Sequence, residues 1–246
     1  LVAAGDPDNL PVRRFVRDCL GITMDANVIK RWVVAALLGS GLAQTALAVP
    51  LPANTIVNLP GTTFAARPEL GGVVLEDVDQ PFSFLDSTGH ILSGVVQNRV
   101  VRSSVDGTLD FYWRIKSTSG QSATGDPGAI SSFRLKGFGN IPLDADWRID
   151  GLGTVHPTQA HRFADASFIN FLFNDPAIVP SNDSVFFFLD THATQYAKVG
   201  TYDMTGTGGN GISGQFQTFA PVPEPSTWIS LAAGLLLTVS LWRRRV

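Results

Sequence analysis

Cysteine is nearly absent: the 246-residue chain has one, Cys19. A framework of disulfides is therefore excluded, and so is a Cys-based zinc site. Residues 49–220 hold no cysteine at all, which removes thiol catalysis from that stretch. The same stretch is short of positive charge. It carries sixteen Asp and Glu against ten Lys and Arg, a net of −6. Nucleic-acid binders present basic patches, so this balance argues against such a partner and suits a soluble domain that resists non-specific association. No long helical period occurs between Val49 and Ala220, no repeat of 20–50 residues is evident, and no G-x-S-x-G nucleophile elbow is found. Gly208-Gly209-Asn210-Gly211 has no helix signal after it and reads as a hairpin loop, not a phosphate cradle.

What is present is strand pattern. Leu109-Asp110-Phe111-Tyr112-Trp113-Arg114-Ile115-Lys116 alternates strictly, with Leu109, Phe111, Trp113 and Ile115 on one face. Asp106-Gly107 is a tight-turn pair, so Ile91 to Ser103 is expected to form a hairpin with that strand. Further strands are expected over Gly72–Val78, Pro81–Leu85, Ile130–Gly137, Trp147–Gly151, Ala166–Phe173, Ser184–Leu189, Ala197–Thr205 and Ser213–Phe219. Phe186-Phe187-Phe188 does not alternate, as in a strand covered on both faces. Many short strands with regular turns predict an all-β, antiparallel sandwich or jelly-roll-like single domain over residues 49–220. The Ala220-Pro221-Val222-Pro223 segment reads as a stiff linker.

Both flanks look like targeting elements. Lys30-Arg31, an apolar run from Trp32 to Ala43 and Ala46-Leu47-Ala48 make a basic n-region, an h-region and an A-x-A cleavage site. Residues 24–48 are expected to be a helical signal peptide read by the Sec translocon, cut after Ala48 to leave Val49 as the mature N-terminus. Met24 lies just upstream of Lys30, so residues 1–23 read as sequence ahead of the true start. At the other flank, residues 221–246 run from Val222-Pro223-Glu224-Pro225-Ser226-Thr227-Trp228, through an uncharged run Ile229–Leu241, to Trp242 and Arg243-Arg244-Arg245. The prolines hold Glu224 extended, which suits a transpeptidase groove. Residues 228–242 are expected to form a short transmembrane helix. Trp228 and Trp242 suit the membrane interface, and the three arginines act as a cytoplasmic stop.

That tail resembles the PEP-CTERM sorting signal of Gram-negative bacteria that make extracellular polysaccharide. The resemblance implies recognition of Val222 to Thr227 by an exosortase, a membrane-embedded cysteine transpeptidase. It also implies an inner-membrane-anchored precursor that ends at the cell surface or outside the cell. It covers only the tail and leaves the task of the body open.

For the body, three readings compete: a non-enzymatic surface or matrix protein, a carbohydrate-binding module for exopolysaccharide, and a secreted hydrolase. No catalytic residue is assigned. Tyr112, Tyr196 and Tyr202 are the candidates for stacking on sugar rings, and Tyr112 leads because the alternation sets it opposite the core face. Asp144, Asp146 and Asp150 gather carboxylates in what reads as a loop-to-strand segment. A structural calcium and solvated turn acids are the two readings there, and no other cofactor is expected. Glu76-Asp77-Val78-Asp79 reads as surface acids. His156 and His161 match no zinc spacing, and His90 and His192 lie far from them. A hydrolase would need two paired acids, which the sequence does not identify.

Overall fold

The computed structural model describes residues 49–86, 89–121, 128–149, 151–207 and 211–222. The signal peptide with Ala46 and Ala48, and the tail from Pro223 through Arg243, Arg244 and Arg245, lie outside the described residues. Among those described, no helix is long and apolar enough to cross a membrane.

Twelve strands form two six-stranded antiparallel sheets, and the fold is a β-sandwich. The strands are β1 (Val49–Pro50), β2 (Thr55–Asn58), β3 (Gly72–Leu85), β4 (Ile91–Ser103), β5 (Leu109–Gln121), β6 (Ile130–Lys136), β7 (Leu143–Trp147), β8 (Gln159–Arg162), β9 (Phe168–Leu172), β10 (Phe187–Thr191), β11 (Tyr196–Gly206) and β12 (Phe216–Pro221). One sheet has the order β1-β7-β10-β5-β4-β3, the other β12-β11-β6-β9-β8-β2.

The alternating segment becomes β5. Phe111, Trp113 and Ile115 point between the sheets and are at most 1% exposed. Gly107 turns the β4–β5 hairpin at φ +77°, a conformation that glycine adopts without strain. The core is aromatic: Phe187 of the first sheet packs on Phe133 and Phe171 of the second, with ring centroids 5.1 and 4.9 Å apart. A buried polar chain also crosses the gap. Trp113 Nε1 donates to Thr218 Oγ1 (2.9 Å), which donates to Asn98 Oδ1 (2.9 Å).

Two expectations change here. Gly72–Val78 and Pro81–Leu85 form one strand, because β3 is an edge strand and Pro81 interrupts no second ladder. Asp144 and Asp146 sit inside β7, not in a loop. Leu143 and Ala145 point to the core, so the two acids stand on the opposite face.

Candidate functional site

Three places on this scaffold bear on function: the end where the chain leaves, a buried polar row on the outer face of the first sheet, and a cavity beside that row.

At the chain exit, β12 pairs with β11 through Ala220↔Ala197 and Pro221↔Tyr196. Ala220 is fully buried, and the Val222 N–H donates to Gln195 O at 3.1 Å. Proline is tolerated at this position because β12 is an edge strand. The strand therefore runs into the segment read as a linker, and the first motif residue, Val222, is tied to the body. The N-terminal strand runs toward the β6–β7 loop with its C-terminal side. Val49 and Pro50 pair with Ala145 and Asp144, and Leu51 N–H donates to Leu143 O. Arg162 is 2% exposed. It donates to Leu51 O (3.0 Å) and Ile141 O (2.9 Å), stapling the β6–β7 loop to the N-terminal strand. Ile141 and Pro142 of that loop line one cavity with Val222 and another with Pro50 and Leu51. The loop thus lies between the C-terminal exit at Val222 and the residues that follow β1, while Val49 itself sits opposite Ala145, further from the loop.

The polar row follows from strand register. Asp190 on β10 lies opposite Asp110 on β5 and Asp144 on β7. The segment before β3, which ends in a 3-10 helix at Pro68–Leu70, brings in Arg67. Arg67 is buried, with Nη2 on Asp190 and Nε on Glu69 Oε1 at 2.7 Å. Asp146 is also buried and accepts from the Gly61 and Trp147 N–H groups through Oδ1. Burial is the largest influence on Asp110 and pushes its carboxyl far above the usual range. The neighbouring Asp190 charge adds to this, and Arg67 opposes it. Asp110 thus faces Asp190 across the ladder with its carboxyl held toward the protonated form. Asp190, Asp144 and Asp146 are also raised, each mainly by burial.

The pH dependence follows. An acid with a raised folded pKa binds more protons folded than unfolded. Its contribution is complete below the unfolded value of about 4 and is lost as pH rises toward the folded value. Asp77 and Asp106 are lowered and act in the opposite sense, below about 4. Above that point the buried row dominates. Melting temperature is expected to fall between about pH 5 and 8, and Asp110→Asn, which keeps a donor toward Asp190, should flatten the slope. A wild-type melting temperature that rises over that interval, or an equal slope in the variant, would contradict the upward push on the Asp110 carboxyl.

The residues singled out from sequence are dispersed. Tyr112 does stand opposite the core face, but Leu70, Val101, Phe186 and Phe188 form a second cluster that buries it at 4% exposure. Its hydroxyl donates to Leu70 O at 2.8 Å. Tyr202 lies between Phe133 and Phe216, stacked 4.8 and 5.4 Å from their centroids. Tyr196 is half-buried and donates to Glu76 Oε1 at 3.1 Å. The three rings share no surface. Asp150 lies outside the described residues, and among those described no three His, Cys, Asp or Glu side chains come together to hold a metal ion. His156 stacks on Trp147, His161 on Phe163, and His90 meets Asp86. Asp77 and Asp79 of β3 pair with Arg99 and Lys116. The Asp110–Asp190 pair was missed, since 80 residues separate two acids that only strand register joins.

Residues 221–245 match the family model of the PEP-CTERM protein-sorting motif. No other family model matches the body. No curated protein and no solved structure shows a significant match to the chain.

Proposed function

With a PEP-CTERM sorting motif as the premise, we propose that the chain is a non-enzymatic, exported β-sandwich. In this reading residues 24–48 direct Sec export, residues 49 to about 221 form the displayed body, and the tail holds the precursor in the inner membrane. An exosortase then acts at Pro223-Glu224-Pro225 and passes the body to the cell surface or the extracellular matrix.

The observation that carries this reading is the continuity of fold and motif. The matched region begins at residue 221, the last residue of β12. Six residues lie between Val222 and Ile229, a reach of at most roughly 25 Å. A membrane-embedded enzyme would therefore meet the motif close under the folded body.

The test is processing in a host that carries an exosortase. The wild-type chain should yield a trimmed product beginning at Val49. Replacing Pro223, Glu224 and Pro225 together with alanine should leave nearly all of the chain untrimmed in the membrane fraction. Tail removal at the wild-type rate in that variant would refute the sorting reading.

A further inference from the structure

Beside the polar row, the outer face of the first sheet contains a cavity of about 340 Å³. Its floor is apolar and buried, formed by Leu70, Val101, Tyr112 and Phe186. Arg99 and Arg148 stand in its wall, and no acid is among its described lining residues. The charged side chains of the described lining are therefore both cationic, in a body whose net charge is −6, although Asp77 outside the lining pairs with Arg99. Low-dielectric walls with one sign of charge concentrate counter-ions.

The two guanidiniums are held in place. Arg99 lies over the Phe186 ring at 4.6 Å, and its Nη2 donates to Asp77 Oδ2 at 2.7 Å. Its Nε is shielded from solvent and has no acceptor among the described residues. The side chain as a whole keeps 29% exposure, so the cation remains reachable beyond its bond to Asp77. Arg148 lines the same cavity, and its charge opposes the upward push of burial on the Tyr112 hydroxyl. Val74 and Leu152 line the cavity while remaining exposed, and they are placed to cover an apolar body above the cations. Planar guanidinium matches a carboxylate through paired N–H donors. The cavity volume is at the small end of ligand sites.

We propose that this cavity binds a monocarboxylate carried on a compact ring, with the carboxylate on Arg99 and Arg148 and the ring against the apolar floor and rim. The shared chemistry is the ring carboxylate; an aliphatic acid and a sugar acid are its two possible sources.

The test is calorimetric titration of the full chain in detergent with cyclohexanecarboxylate, glucuronate, cyclohexanecarboxamide and inorganic phosphate. At least one ring acid should bind tenfold or more tightly than the neutral amide and than phosphate, and the stronger acid identifies the source. Arg148→Gln should weaken that binding at least tenfold. Leu152→Glu places an acid on an exposed rim position that folding does not depend on. It should weaken binding equally without moving the melting curve. The proposal is overturned if neither acid binds at millimolar concentration, if the amide or phosphate matches the acids, or if Leu152→Glu binds like wild type.

Discussion

Truncation of Trp113 to alanine is expected to cost about 3–5 kcal/mol of folding stability. The ring is among the largest fully buried side chains and contacts both sheets. Phe187 on the neighbouring strand β10 lies 6.2 Å away between centroids. Phe133 and Phe138, on the opposite sheet and the loop that follows it, lie 6.1 and 5.9 Å away. Rings at this spacing add attraction beyond the area they bury. The variant also deletes the indole donor to Thr218, so the buried Thr218–Asn98 pair loses one partner. A domain stable by about 5–15 kcal/mol would lose a large share of its margin. Urea unfolding of the full chain, followed by circular dichroism, gives the value. Trp113→Phe keeps most of the ring volume and should cost about half as much. A loss below about 1 kcal/mol in the alanine variant would mean that the intersheet core is not organised around this residue.

The second large effect is expected at Arg67. Its guanidinium is the buried counter-charge for Asp190, which in turn faces Asp110 across the β5–β10 ladder. Arg67→Met retains much of the stem and removes the cation, leaving acids buried with no opposite charge. Breaking a buried pair on one side costs about 3–5 kcal/mol. The repair is specific: Arg67→Met with Asp190→Asn removes both charges and should recover most of that loss, since replacing both partners is often close to neutral. The single variant should also regain stability in acid, where Asp190 takes up a proton. A double variant no more stable than the single one would show that Arg67 acts through packing under the segment before β3, not through charge.

The strand content was legible wherever one side chain in two had to face the core. Ile91–Ser103 is β4 to the residue, and the alternation of Leu109 to Lys116 assigns the inner face of β5 correctly. Non-alternating Phe186-Phe187-Phe188 also reads true, since β10 is central and a second apolar cluster covers its outer face. The same cluster explains why Tyr112 was misjudged: period two names the face, but it carries no information on what later folds over that face. Gln159–Arg162 is not among the expected strands because four residues give too short a pattern, although Ala160 and Arg162 are buried in β8. The Asp110–Asp190 pair and the arginine-walled cavity depend on register between strands distant in sequence, which no local pattern encodes. The sorting tail is the opposite case, since its order of residues is itself the signal.

The seating of β12 has a mechanical consequence. This strand has a ladder with β11 alone, and the tail follows its last residue, Pro221. A tether pulling on Pro221 draws the strand along its own axis. The ladder bonds lie across that axis, so they share the load in shear instead of opening one at a time. The buried Phe219 and Ala220 would have to be dragged through the core before the strand slipped. A body anchored in this way resists drag with the whole of its edge ladder, where one anchored at right angles to the strand would peel from the first bond.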